Sequence, residues 1–299
     1  MKITRPFALL GAWLLVAQTY AAPATREVRD DTGANVTVPV DNCRMVSLAP
    51  GTTAMLFAAG AGQCVIGTIA HSKEPAEAAA VPVVGDAETL DFEQLLALRP
   101  TVVVVAVDVV QRVRIDRIRA LGIPVYQVHV TSLAQMPESL RRLGVLAHTE
   151  PAARSRAATF AAQLDRVTAR YRNRPPVRVL YQIWDRPIYT IGGKHVISDA
   201  LAVCGARNIF ADLSTAAPAV TREAAITRDP DLILISAPPD PASEWLAEWR
   251  KFPAVRAVRE GRLESYLDER MDRMGPSVID ATESLCELVD RARAPPTTR

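Results

Sequence analysis

The chain has four histidines, His71, His129, His148 and His195, and no two stand at the i, i+4 spacing that lets one helix face grip a metal. His71 and His195 fall in loops where axial coordination of a metal is open to either, while His129 ends an apolar strand and His148 reads as a surface residue. A G-x-S-x-G nucleophile elbow is absent, as are a P-loop and a GxGxxG turn opening a helix; Gly192-Gly193-Lys194 lacks the Walker spacing. No nucleophile constellation appears, so the residues argue against an enzyme. The informative carboxylates are Glu93 and Glu223. Each opens a short helix, a proline (Pro100, Pro230) follows seven residues later, and a buried-strand pattern comes next, Thr-Val-Val-Val-Val in one case and Asp-Leu-Ile-Leu-Ile in the other. Either glutamate alone is explained by the helix dipole. Matched placement in two repeats instead sets one on the same face of each of two lobes, an arrangement suited to docking a two-fold partner through its arginines. The two stand too far apart for acid–base chemistry.

Cys43, Cys64, Cys204 and Cys286 lack the closely spaced pairs of a zinc site. In an oxidising compartment an even number reads as two structural disulfides. Three connectivities are possible, and the one preferred, Cys43–Cys64 with Cys204–Cys286, keeps each bridge within one half of the chain. Export is indicated at the N-terminus. Lys2 and Arg5 precede an apolar run from Phe7 to Ala17 and then small residues at Ala21 and Ala22, so residues 1–22 read as a cleavable secretory signal. That run is too short to span a bilayer, and no cysteine follows it for a lipid anchor, so the mature protein is expected to be soluble. Loss of Lys2 and Arg5 takes the formal charge from +2 to neutral, which leaves no electrostatic case for nucleic acid or a membrane surface.

These residues need elements to position them, and 49% hydrophobic with 23% charged residues is an ordinary globular balance able to supply a core. In a first lobe, 44–131, strands are predicted at 44–48, 65–69, 101–106 and 125–129, alternating with helices at 52–61, 92–98 and 113–121. Alternation of that kind implies a parallel sheet. Residues 132–174 contain no strand candidate and read as a helical linker, with one long helix over 151–172. A second lobe, 175–293, repeats the scheme with strands at 177–183, 231–236 and 262–266 and helices at 197–204, 222–227, 242–251 and 276–293. Residues 294–299 read as a disordered tail. The fold class is therefore α/β, two Rossmann-like lobes with parallel-sheet cores joined by one long helix, with a cleft between them.

Several segments carry a resemblance: Val46-Ser-Leu-Ala-Pro50, Leu56-Phe-Ala-Ala-Gly60, Phe92-Glu93 through Arg99-Pro100, Val203-Cys-Gly-Ala-Arg-Asn-Ile-Phe210, Val220-Thr-Arg-Glu223, and Arg273-Met-Gly-Pro276 leading to Leu285-Cys286. In order and spacing, from about Arg44 to Arg291, the chain resembles the helical-backbone (type III) periplasmic binding proteins, which serve ABC importers of cobalamin, haem and iron–siderophores. The resemblance implies a monomeric, non-enzymatic carrier without a resident cofactor, soluble in the periplasm. It implies docking of Glu93 and Glu223 to the importer's transmembrane subunits, and a Cys204–Cys286 bridge; Cys43–Cys64 rests on spacing. The ligand it favours is cobalamin or a related corrinoid, with an iron–siderophore or haem as alternatives and a periplasmic hydrolase as a distant one. Cleft aromatics of the family's cobalamin-binding members align here with Ala87, Ala106 and Ala217; Trp184 and Tyr189 are expected to replace part of that surface. Arg186, Arg270 and Arg273 are candidates to meet carboxylates or phosphate on a ligand, and Pro50, His71 and Asp86 complete the expected ligand-binding set.

Overall fold

Val102–Ala106, the most continuous apolar run of the first half, forms the strand around which the first lobe is built. Val102 to Val105 are at most 1% exposed, so both faces of the strand are covered, as a parallel sheet requires. The computed structural model describes residues 24–107 and 109–294; the expected leader (1–22), and the expected tail beyond Ala294, lie outside the described residues. In chain order the first lobe holds β1 (Thr25–Arg29), β2 (Asn35–Pro39), β3 (Met45–Ser47), α1 (Pro50–Ala58), β4 (Val65–Gly67), α2 (Phe92–Ala97), β5 (Val102–Ala106), α3 (Arg112–Ala120) and β6 (Val125–Val128). Its sheet runs β4-β3-β5-β6, parallel throughout. The antiparallel β1–β2 hairpin adds to the expected scheme. Its tip covers the free edge of β6: the Asp31 N–H donates to the Gln127 carbonyl (3.1 Å), and the His129 N–H donates to the Asp31 carboxylate (3.1 Å).

Two helices follow, α4 (Met136–Ala147) and α5 (Glu150–Tyr171). His148, in the left-handed region at φ 59°, ends α4, and Pro151 sits in the first turn of α5, where its missing N–H costs nothing. At 22 residues α5 is about 33 Å long. The two helices touch at Gly144, where an added Cβ would come within 2.2 Å of the Ala153 Cβ.

The second lobe comprises β7 (Val177–Trp184), β8 (Ile188–Thr190), α6 (Val196–Val203), β9 (Ala206–Asn208), β10 (Ala219–Val220), α7 (Arg222–Thr227), β11 (Leu232–Ile235), α8 (Pro239–Arg250), α9 (Arg256–Arg259), β12 (Leu263–Ser265), α10 (Glu269–Arg273) and α11 (Val278–Arg291). Strands β7, β11 and β12 pair in parallel as expected, β9 adds an unexpected parallel strand beside β7, and β8 and β10 extend the sheet antiparallel. The internal repeat is borne out in backbone geometry. Asp91 caps α2 by accepting the Gln94 N–H (2.9 Å), and Thr221 caps α7 by accepting the Ala224 N–H (3.1 Å). Both helices then turn through a residue of positive φ, Arg99 (47°) or Asp229 (39°), into Pro100 or Pro230 and the buried strand.

Both disulfides keep within one half of the chain: Cys43–Cys64 (S–S 2.13 Å) and Cys204–Cys286 (2.03 Å), the latter tying the end of α6 to α11. A single apolar core runs from α1 (Met55, Leu56) through α4 and α5 (Leu143, Phe160) into α6 and α11 (Leu201, Leu285). The lobes are therefore joined by shared packing as well as by chain.

Candidate functional site

The carboxyl ends of β3, β5 and β6 open onto a cavity of about 240 Å³, walled by Ala49, Pro50, Met55, Ala106 and Val128 and closed from the second lobe by Arg273 and Met274. The carboxyl ends of β7 and β11 open onto another of about 290 Å³, lined by Ile183, Ile191, His195, Ser236, Asp272 and Met274. Asp272 and Met274 line both, so α10 and the residue that ends it form the bridge between two halves of one cleft. The lobes meet closely at this bridge: a Cβ on Gly51, in the first turn of α1, would fall 2.1 Å from the Arg273 carbonyl oxygen. Met274 turns the chain away in the left-handed conformation (φ 53°). Ligands of open α/β sheets bind at this kind of place, beyond the carboxyl ends of the strands.

The expected ligand residues distribute unevenly around it. Pro50 opens α1 and lines the first cavity. Arg273 also lines it, but its guanidinium is already engaged by Glu74 (3.4 Å) from the first lobe and by Glu269 one turn earlier. Arg270 is held by Asp268 through two bonds (2.6 and 2.9 Å), which lower the Asp268 carboxyl below its usual range. Arg186 pairs with Asp185 (3.2 Å). Trp184 ends β7 one residue past Ile183; it is 57% exposed, with its ring set edge-on against Trp245 (6.0 Å between centroids) and Tyr189 as its cross-strand neighbour. His71 is exposed in a left-handed turn (φ 67°) and lines neither cavity. Asp86 serves its own loop, accepting the Thr89 N–H (2.6 Å), the Glu88 N–H (2.8 Å) and the Thr89 hydroxyl (3.0 Å), bonds that lower its carboxyl from the ordinary value. Of the three alanines aligned with cleft aromatics, Ala106 lines the first cavity, and Ala87 and Ala217 are exposed.

Ser236, His195 and Asp272 share the second cavity, and that trio demands a test against hydrolytic chemistry. The His195 Nδ1 accepts the Ile197 N–H (3.1 Å) as the cap of α6, so the neutral ring carries its proton on Nε2 and presents a donor where a serine's base must be an acceptor. Ser236 lies near enough to Asp272 to lower its carboxyl in part. A ring nitrogen that presents a donor cannot serve as a serine's base, so the trio does not make a triad. Sequence reasoning passed over Asp272, Met274 and Ser236. Asp272 and Met274 flank Arg273 at the edge of the recognised Arg-Met-Gly-Pro segment, which was the available signal.

Away from the cleft, Glu93 and Glu223 occupy equivalent first-turn positions on α2 and α7, both exposed and, among the described residues, without an ion-pair partner.

Two α/β lobes on a helical backbone, with a cleft at the carboxyl ends of their sheets, define a bilobal solute carrier. The chain belongs to the periplasmic binding protein family, whose pattern matches residues 45–267, and is of its helical-backbone type. A vitamin B12-binding protein of Yersinia pestis (strain Pestoides F) is 27% identical over 244 residues, covering 82% of this chain and 85% of that relative. The structure superposes on the periplasmic vitamin B12-binding protein BtuF of Vibrio cholerae with a TM-score of 0.76 at 25% identity, over 84% of this chain and 98% of that one. It shares its fold with the periplasmic heme-binding protein RhuT of Roseiflexus sp. RS-1, at a TM-score of 0.70 and 24% identity over 84% of this chain and 99% of the other.

Proposed function

We propose that this chain carries cobalamin or a related corrinoid across the periplasm and delivers it to the transmembrane subunits of an ABC importer. The observation that carries this reading is the cleft itself: apolar walls at the facing carboxyl ends of two sheets, in a chain similar along most of its length to vitamin B12-binding proteins. Its two cavities, about 240 and 290 Å³, each fall at or below the ~300 Å³ lower bound of drug-sized sites. A corrinoid is larger than such ligands and would lie across the mouth, its flat face toward Trp184 and Tyr189. Cobalamin is cargo on this reading, and no resident cofactor is needed. The anionic alternatives lose part of their argument, because Arg270 and Arg273 are each paired with a carboxylate of the chain, while Arg186 shares Asp185 with Arg222. Delivery would use Glu93 and Glu223, one per lobe, against arginines of the importer.

The test is direct. The protein is purified from periplasm, its visible spectrum is recorded, and it is titrated with cyanocobalamin, haemin and a ferric catecholate. Saturable one-to-one binding of cyanocobalamin at micromolar concentration or below is expected. Tight binding of haemin or the ferric chelate, with none of cyanocobalamin, would overturn the corrinoid assignment.

A further inference from the structure

Asp272 is the acidic side chain that lines both halves of the cleft. Its side chain is open to the cleft, and among the described residues no arginine, lysine or histidine forms an ion pair with it. The two arginines nearest in sequence are spent elsewhere: Arg270 on Asp268 (2.6 Å), and Arg273 on Glu74 (3.4 Å) and Glu269. Around the bridge, two arginines therefore face four carboxylates, and the other titratable group lining these cavities is His195, at the start of α6. The remaining walls are mostly apolar, from Met55, Ala106 and Val128 on one side to Ile183, Ile191 and Met274 on the other.

A carboxylate in such a place needs donors from whatever fills the cleft. Water supplies them while the cleft is empty, and a ligand that displaces this water must supply them in turn. A ligand edge bearing carboxylates or catecholates brings like charge to a desolvated carboxylate and is repelled. A ligand edge bearing carboxamide N–H groups satisfies it.

We propose that Asp272 is a specificity-determining residue, selecting a bulky ligand fringed with neutral N–H donors against ligands fringed with anionic groups. This rests on the reading of the cleft as the cargo site and narrows the chemistry of the cargo. The surroundings leave the charged form short of stabilising groups that ligand N–H donors would supply: burial raises the Asp272 carboxyl above the ordinary value, the charge of Asp268 adds to that, and Ser236 partly offsets both.

The probes are cyanocobalamin, its monocarboxylic acid derivatives in which one peripheral carboxamide is hydrolysed, and haemin, each titrated against the wild-type protein and Asp272→Asn. Asparagine is nearly isosteric, and an unchanged circular dichroism spectrum verifies the fold. In the wild type, at least one monocarboxylic acid is expected to bind about ten-fold or more weaker than cyanocobalamin. In Asp272→Asn that ratio collapses to within about two-fold, and haemin binds more tightly than to the wild type. An unchanged ratio and unchanged haemin affinity in the variant overturn the proposal. Wild-type affinities judge the corrinoid reading separately. If the wild type binds haemin and not cyanocobalamin, that reading falls, while a gain in haemin affinity in the variant still supports Asp272 as the anion-excluding residue and its absence still rejects it.

Discussion

An indole that ends a buried strand and remains 57% exposed, as Trp184 does, leaves a large apolar face in water that core packing would have covered. Tyr189 beside it is 37% exposed, and Trp245 behind it is only 9% exposed, so the ring has a firm backing and an open front. Trp184 lines neither cavity but follows Ile183, which lines the second, and an open, backed aromatic in that position offers a stacking surface. Trp184→Ala is therefore expected to weaken ligand binding by roughly 1–2 kcal/mol, about ten-fold in Kd, while barely moving the melting temperature. Titration and thermal unfolding together check this, and a variant that loses stability but keeps affinity would place Trp184 in the core instead. Residue type alone pointed to Trp184, Tyr189 and the arginines. It did not reveal that each arginine is already partnered, because one partner, Glu74, stands 199 positions from Arg273. Nor did it single out Asp272, whose significance lies in the lack, among the described residues, of a cation paired with it, a tertiary property.

Among the elements, α7 shows how the second lobe ties its outer face to its cleft. Asp185, 5% exposed, sits in the turn just after Trp184 and accepts a bond from Arg222 (3.0 Å), the first residue of α7. The Arg222 guanidinium lies over the Trp249 ring (4.9 Å), the Trp249 indole donates to Gln182 (2.8 Å), and Gln182 donates back to Asp185 (3.2 Å), which closes a ring of contacts. The equivalent position in the first lobe is Phe92, stacked under Arg117 of α3 (4.0 Å). Removing Arg222 leaves Asp185 buried with only exposed Arg186 as its cation, so Arg222→Ala is expected to cost roughly 2–3 kcal/mol. Urea denaturation measures that cost, and hydrogen exchange should quicken across 184–190; unchanged exchange there would deny the connection. Such a ring was not legible in the sequence, although α7 itself was predicted to the residue, since its cap, first-turn glutamate and closing proline are local signals. The β1–β2 hairpin had its own signals, alternating Val28, Val36 and Val38 around Asp-Asp-Thr-Gly. Strands β8, β9 and β10, of two or three residues, are too short to show a period.

At the scale of the whole molecule the decisive feature is the core shared through α4 and α5. Two lobes joined by a flexible linker would close on a ligand and change the spacing of their outer faces. Lobes packed on a common pair of helices keep that spacing, so α2 and α7 present Glu93 and Glu223 at nearly one separation whether or not the cleft is filled. A rigid pair of carboxylates is matched to a two-fold symmetric receptor, because both ion pairs form without either lobe having to move. Each contact alone would be a solvent-exposed ion pair worth little, and the strength would come from making both at once on a preorganised frame. Glu93→Ala with Glu223→Ala is accordingly expected to leave ligand affinity unchanged and to reduce binding to the importer by more than either single change does. Raising the ionic strength should weaken the wild-type complex in the same direction. Ligand titration of the double variant, set beside binding to the importer in membrane vesicles, separates cargo from dock. Undiminished importer binding in the double variant would show that delivery uses another surface, whatever the cleft proves to hold.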